Sequence, residues 1–444
     1  MKLRPYQERA IVSLRAQYAA GRRAPCLVLP TGGGKTLVAS EIIRSALGRG
    51  RRVLFLAHRR ELIGQTVSKL ERFGVTDVRI IQAAHDIGRP DAPVCVGSVQ
   101  TLTRWADRMP RADLVVFDEA HHVVAKSWSA IADRYAGAHL LGMTATPERS
   151  DGKPLDIFDA LVVGASVREL TDLGHLVSCR VYAPPLELET AQLALSPLEA
   201  YRKHGADERA IVFCVTVEHA QTVADEFTTA GIHAEAVTGN GGGRADALAR
   251  FARGETRVIT NVHVLTEGFD DPAVAVCILA RKPEHAGTFL QMAGRVLRPA
   301  EGKANATLID LCGSVHDHGT PDMEREFSLT GRAISKVDRQ AIRQCPSCGG
   351  VFPLGPDACP LCGATLPARA VQLPRSTGIG VAEVRDVAPR APWTVTMEAK
   401  FQGRCRSCKT AIHPGDRIVW LKGEKPRHAD CARADALVAS RSAV

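Results

Sequence analysis

The stretch "VLPTGGGKT", residues 28–36, follows an apolar run and opens a helical one. Three successive glycines, Gly32, Gly33 and Gly34, let backbone N–H groups turn toward an anion, and the helix that follows adds the positive end of its dipole. In that setting Lys35 reaches the β- and γ-phosphates of a nucleotide, Thr36 offers its hydroxyl to Mg²⁺, and Thr31 belongs to the same cradle. One departure stands out: the strict phosphate-loop pattern has glycine where this chain has Leu29.

Outward from this loop, residues 25–150 alternate β-branched runs with helical stretches: "CLVLP", the helix over 37–47, "RRVLFLAH", "VCVGSV", "DLVVFDEAH" and "HLLGMTATP". This alternation predicts a parallel sheet with helices on both faces, and runs such as "LVVF", lacking polar alternation, fit strands buried on both sides. A second series begins at "RAIVFCV" (209–215), passes through a helix over 218–230, and continues with "HAEAVTG", "RVITNV", "AVCILA" and "ATLIDLC". The fold class is therefore α/β: two tandem parallel-sheet domains, 1–179 and 180–330, with the joint expected over residues 180–200, which contain Pro184, Pro185 and Pro197. Small cysteine-rich modules follow at 340–366 and 397–444, with a Pro/Arg/Gly-containing linker over 367–396.

The acidic pair in "LVVFDEAHH" (114–122) sits at the carboxyl end of a buried strand, where a parallel sheet presents catalytic groups. Asp118 is the partner expected for Mg²⁺, and Glu119 the residue that positions or deprotonates the attacking water.

The segments "LRPYQ" (3–7), "PTGGGKT" (30–36), "LAHRREL" (56–62), "GSVQTL" (97–102), "DEAH" (118–121), "TATP" (144–147), "TEGFDDP" (266–272) and "QMAGRVLRP" (291–299) resemble, in order, the motifs of superfamily-two helicases of the DEAD/DEAH type. The match spans residues 1–315. It implies two RecA-like domains, with Gln7 and Arg4 reading the adenine and Gly268 and Asp270 facing the nucleotide. It also implies Arg295 and Arg298 as arginine fingers, with Gln291 beside them. By the same resemblance Thr144, Ala145 and Thr146 link the ATP site to the strand-binding face, and His121 bridges to the second domain. A nucleic-acid strand would be held through its backbone by Arg59, Arg60, Gln100, Thr101, Thr238 and Thr266. With knuckles following the motor, the chain is also similar to RadD-type bacterial DNA-repair helicases and related phage proteins.

Those knuckles are "CPSCGGVFPLGPDACPLCG" (345–363) and "CRSC" (405–408) with "HADC" (428–431). Cys345, Cys348, Cys359 and Cys362 have the spacing of a tetrahedral Zn²⁺ site; Cys405, Cys408, His428 and Cys431 form a Cys₃His set in which His413 competes with His428. Seven of the thirteen cysteines lie in the last hundred residues; the other six, Cys26, Cys95, Cys179, Cys214, Cys277 and Cys312, fall mostly in apolar runs and read as core.

Charge points to the same end of the chain. Residues 331–444 hold 18 Lys and Arg against 9 Asp and Glu, which accounts for the entire excess of +9 over the 444 residues. Around the second knuckle stand Arg404, Arg406, Lys409, Arg417, Lys422, Lys425 and Arg427, a composition suited to a polyanion. Aromatic residues are only 5%, so stacked-base platforms are not expected. Neither a leader nor an apolar run near the roughly 18 residues of a membrane helix is present, which places the expected location in the cytoplasm. The expected function is an ATP- and Mg²⁺-dependent DNA helicase or translocase with DNA as partner. An RNA helicase, or a zinc-based adaptor that docks a protein and uses ATP as a switch, are the alternatives.

Overall fold

The computed structural model describes residues 3–57, 60–82, 85–104, 109–122, 126–149, 153–184, 193–239, 243–266, 268–330, 342–353, 357–366, 394–399, 402–421 and 426–431. The chain divides into two units, Met1–Ala368 and Arg369–Val444.

In the first lobe of the larger unit the order is α1 (Pro5–Ala19), β1 (Pro25–Val28), α2 (Lys35–Leu47), β2 (Val53–Ala57), α3 (Arg60–Arg72), β3 (Val78–Gln82), β4 (His85–Ile87), β5 (Val94–Ser98), α4 (Val99–Arg104), β6 (Leu114–Asp118), α5 (Lys126–Arg134), β7 (His139–Thr144), β8 (Ala160–Val163) and α6 (Val167–Asp172). The sheet order is β4-β3-β5-β2-β6-β7-β1-β8, parallel throughout except at β4. Its unalternating apolar strands are buried on both faces. In β2, Val53 and Phe55 join one core cluster while Leu54 and Leu56 join another, because successive side chains point to opposite sides.

The second lobe repeats the plan with β9 (Ser178–Tyr182), α7 (Pro197–His204), β10 (Ala210–Phe213), α8 (Val217–Thr229), β11 (Ala234–Val237), α9 (Arg244–Ala252), β12 (Val258–Asn261), β13 (Val276–Leu279), α10 (Ala286–Ala293), β14 (Asn305–Asp310) and α11 (Ser314–His318). The first cysteine module adds β15 (Ile342–Gln344) and β16 (Gly350–Pro353), giving the order β11-β12-β10-β13-β14-β9-β16-β15.

Two features depart from the sequence reading. Strand β9 runs across the 179/180 boundary and pairs with β14 in parallel and β16 in antiparallel, so residues 180–182 belong to a sheet rather than a joint. Backbone hydrogen bonding of β9 on both sides fixes this, which local composition does not reveal. Residues past α11 also lean back on the first lobe: Leu155 N–H donates to the Leu329 carbonyl (2.8 Å), and Arg168 pairs with Asp322 (3.3 Å). Of the six scattered cysteines, Cys26, Cys95, Cys214 and Cys277 are buried, whereas Cys179 and Cys312 are half-buried.

The smaller unit holds β17 (Thr394–Glu398), β18 (Gly403–Arg404), β19 (Ala411–Ile412), β20 (Arg417–Leu421) and β21 (Arg427–His428), arranged as a three-stranded sheet β17-β20-β21 and a β18-β19 hairpin. Strand β17 takes up the end of the expected linker, whose residues 367–393 lie outside the described residues. No helix among the described residues is long and apolar enough to cross a membrane.

Candidate nucleotide cleft and cysteine clusters

The glycine loop leaves β1 at its carboxyl end and enters α2 through Gly34, whose φ of +82° is left-handed; no side chain caps the helix. That leaves the first N–H groups of α2 available to an anion. Helix α1 pins the loop from behind: Tyr6 Oη donates to the Gly33 carbonyl (2.9 Å), as does Gln7 Nε2 (3.3 Å). A methyl group at Gly34 would lie 2.4 Å from Gln7 Nε2, so only glycine fits there. Gln7 is 2% exposed, and its Oε1 accepts the Arg4 N–H (3.0 Å). One end of its amide thus holds the loop while the other caps its own helix.

Across the loop, β6 delivers Asp118, and Glu119 follows with φ +51°, a left-handed conformation unusual for a residue with a side chain. Glu119 N–H donates to Asp118 Oδ1 (3.1 Å). Burial first, and then the Glu119 charge, push the Asp118 carboxyl up to about 7, against the pull of Lys35 and Lys69. Glu119 Oε2 is buried without a hydrogen-bond partner among the described residues. Two crowded carboxyls, one with an oxygen that makes no hydrogen bond among those residues and has His121 Nδ1 at 3.4 Å, form a donor set that a divalent cation would satisfy; the Thr36 hydroxyl is the third candidate ligand at this loop.

The second lobe closes the cleft, which has a volume of about 530 Å³ and is lined by Arg4, Gln7, Thr31, Gly32, Gly34, Lys35, Thr36, Asp118 and Glu119 from one side and Gly268, Asp270, Arg295 and Arg298 from the other. Arg298 lies against the loop, since a methyl group at Gly32 would come within 3.2 Å of its Cγ. Its guanidinium pairs with Asp270. Although burial opposes it, Arg298 and then Lys69 hold the Asp270 carboxyl below the usual range. Arg295 is 6% exposed and donates to the carbonyls of Thr266 (2.6 Å) and Phe269 (2.6 Å). Gln291, four residues before Arg295, takes a partner from the first lobe. It meets His121 Nε2 across the cleft (3.1 Å), while His121 Nδ1 approaches Thr144 Oγ1 (2.9 Å) and Glu119 Oε2 (3.4 Å). Thr144 Oγ1 in turn bonds the Thr146 backbone, so His121, Thr144 and Thr146 form one chain from the carboxylates toward the second lobe.

The expected strand-holding residues do not all face outward. Gln100 is exposed and Thr238 half-buried, but Thr101 is buried with its hydroxyl on Ser98 Oγ (2.7 Å), and Thr266 is 5% exposed beneath Arg295. Both are corrected: their side chains are packed inside the protein, Thr101 against Ser98 at the β5–α4 junction and Thr266 with its own hydroxyl buried. Arg59 and the Arg60 side chain lie outside the described residues.

Residues that the sequence reading did not single out also meet here. Gln65 and Lys69 of α3 reach Gly268 and Asp270. Gly287 and Gly294 allow α10 to approach Thr146 and Thr31, since methyl groups there would come within 2.8 and 2.7 Å of those side chains. Glycine twice in "HAGTFLQMAG" was the available signal.

In the first cysteine cluster Cys345 Sγ lies 3.7 Å from Cys362 Sγ, and Cys348 Sγ 3.7 Å from Cys359 Sγ. Four thiolates bound tetrahedrally at the Zn–S distance would be ~3.8 Å apart. The second gathers Cys405, Cys408, His428 and Cys431. His428 Nδ1 is 3.5 Å from Cys408 Sγ, and its Nε2 faces the Ala411 carbonyl (3.2 Å), a partner that orients the ring. His413 is not in the group; its N–H binds Asp416 (2.7 Å).

Comparison with known proteins agrees with this geometry. Residues 1–149 match the family model "Type III restriction enzyme, res subunit", and residues 193–300 match "Helicase conserved C-terminal domain". A 51.5 kDa protein of a Lactococcus phage is 30% identical over 365 residues, covering 75% of this chain and 76% of the phage protein. A Saccharomyces cerevisiae protein named as an ATP-dependent helicase, IRC3, is 29% identical over 355 residues, 70% of this chain; the chain spans about half (52%) of the yeast protein's length. Among solved structures, a fragment named as the HsdR subunit of a type I restriction enzyme from Vibrio vulnificus superposes with a TM-score of 0.56 at 25% identity, over 71% of this chain and 65% of that one. The chain belongs to the superfamily-two helicases of the DEAD/DEAH type, a family of nucleic-acid-dependent ATPases.

Proposed function

We propose that this protein is a motor that couples ATP hydrolysis to movement on, or remodelling of, DNA, in repair, recombination or replication. One observation carries the reading: a single cleft is lined by the glycine loop and acidic pair of one lobe and by Arg295 and Arg298 of the other. Hydrolysis then requires both lobes, and nucleotide turnover is tied to their relative motion.

In this reading the two lobes, the second beginning at β9, are the two motor domains, and each residue has a defined task. The loop N–H groups and Lys35 bind the phosphates, with Arg4 and Gln7 at the adenine end. Glu119 orients the attacking water, and His121 relays its position to Gln291. Thr36 and Asp118 would hold Mg²⁺, which when bound supplies neutralising charge to the phosphates. Arg298 is the finger, since its guanidinium is held by one carboxylate at the cleft, whereas Arg295 is committed to two backbone carbonyls and shapes the loop carrying Gly268 and Asp270. Such a finger contributes about 10³–10⁵ in rate.

Both cysteine clusters are assigned to structural Zn²⁺, the first through sulfur spacing and the second through the oriented His428 ring. DNA is favoured over RNA because the N-terminal match is to a restriction-enzyme subunit and the solved relative is named for a restriction enzyme. Exposed Arg404, Arg406, Lys409 and Arg417 give the smaller unit a phosphate-binding surface; Lys422 and Lys425 lie outside the described residues. A cytoplasmic setting suits reduced zinc thiolates. The test is ATP hydrolysis at matched low salt with no nucleic acid, single-stranded DNA, forked DNA or RNA. Strong stimulation by a DNA form is expected. Preference for RNA would overturn the substrate, and an unresponsive rate would favour a protein-docking switch.

A further inference from the structure

Helix α3 carries two side chains into the cleft that belong to none of the motifs. Gln65 Nε2 donates to the Gly268 carbonyl (2.9 Å), and Lys69 Nζ lies 3.3 Å from Asp270 Oδ2. Four residues apart on a helix, they share one face. The other oxygen of Asp270 is taken by the Arg298 guanidinium. One carboxylate thus holds a cation from each lobe. Lys69 also lines the cavity that contains Lys35 and Asp118, and its ammonium is among the charges acting on the Asp118 carboxyl.

We infer that Lys69 is a second lysine ligand of the nucleotide's phosphates, and that Asp270 competes with the triphosphate for Lys69 and Arg298. The inference rests on the ATP-site reading above and deepens it. Carboxylate and phosphate oxygens accept from ammonium and guanidinium groups in the same geometry, so one anion exchanges for the other without rebuilding the site. A triphosphate brings several negative charges against the single charge of Asp270. The pair it displaces is weak, because Lys69 and Asp270 are 38% and 44% exposed and water screens them. Exchange hands Arg298 from Asp270 to the phosphates, and Gln65, bonded to the Gly268 carbonyl, keeps α3 against the Gly268 loop meanwhile. The terminal phosphate therefore recruits both cations at once, which makes the site sensitive to ATP over ADP through residues outside the glycine loop.

The test uses the full-length protein with Mg²⁺, measuring binding of ADP and of a non-hydrolysable ATP analogue, together with KM and kcat for ATP on single-stranded DNA. Lys69→Gln is expected to weaken the ATP analogue about tenfold and ADP less than about threefold, and to raise KM more than it lowers kcat. Lys69→Arg is expected to restore most of the loss. Asp270→Asn is expected to act in the opposite direction and tighten the ATP analogue. Equal losses for ADP and the ATP analogue in Lys69→Gln, no loss at all, or weaker ATP-analogue binding in Asp270→Asn would overturn the inference. Should Lys69→Gln fail to fold, Lys69→Arg and Asp270→Asn still decide it. Lys35→Ala separates the two readings: if that variant keeps full turnover, the ATP site itself is misassigned.

Discussion

Helices α2 and α8 are both 13 residues long, and each is entered from the carboxyl end of a fully buried parallel strand. Their first turns differ in one respect. At α2 the N-cap is Gly34, left-handed and without a side-chain cap; at α8 the N-cap is Thr216, whose hydroxyl accepts the His219 N–H (3.1 Å). The same architecture therefore presents an open anion site in one lobe and a plugged helix end in the other. A repeated fold does not repeat a site. What distinguishes the lobes is whether the helix satisfies its own orphan N–H groups or leaves them to a ligand.

The comparison breaks most severely at the open end. Lys35→Ala or Glu119→Gln should lower ATP turnover at least ~10³-fold, since positioning and charge carry most of phosphoryl transfer. Zinc content measured on the same samples should not change. A variant that keeps full ATPase would remove the functional asymmetry between the lobes. Next, Gly34→Ala forces a side chain into a left-handed position and against Gln7 Nε2; ATP binding should weaken ~10–100-fold, with the α1 anchor disturbed as well. An alanine variant with normal nucleotide affinity would mean that the loop is not the phosphate cradle.

A smaller effect separates the cost of the open end from its use. Because burial and Glu119 push the folded-state Asp118 carboxyl up to about 7, from 3.8 in the unfolded chain, the unfolded chain gives up this proton first and stability falls as pH rises from about 4 to about 7, with no further loss above. Asp118→Asn should therefore raise the melting temperature of the metal-free protein by a few degrees at pH 8 and hardly at all at pH 3.5, while abolishing activity. Equal shifts at both pH values would show that Asp118 is not strained by its surroundings. The smallest effect lies at the plugged end: Thr216→Ala should cost about 1 kcal/mol in a denaturant titration and leave KM for ATP untouched. A changed KM there would mean that the second lobe's helix end also takes part in nucleotide binding.

Much of this was legible before the fold was known. The apolar runs and their spacing give both sheets, because a strand buried on two faces needs no alternation. The glycine loop, the acidic pair and the cysteine quartets are also readable, since each depends on residues close in sequence acting through local backbone geometry. The burial of Thr101 and Thr266 was not legible, because the side of a loop or short helix that faces inward depends on what packs against it. Lys69 and Gln65 carried no signal, as they matter only once the second lobe lies against α3.

The sequence by itself determined the class of fold, the phosphate loop, the paired carboxylates and two sets of metal-ligand residues. Tertiary structure alone decided that the first cysteine module extends the second lobe's sheet through β16 on β9, that His428 rather than His413 joins the second cluster, and that Asp270 holds Lys69 and Arg298 together. The reason is separation along the chain. Local spacing sets which atoms a short segment can present, but a contact across about two hundred residues exists only after both lobes have buried their cores and fixed which surfaces meet.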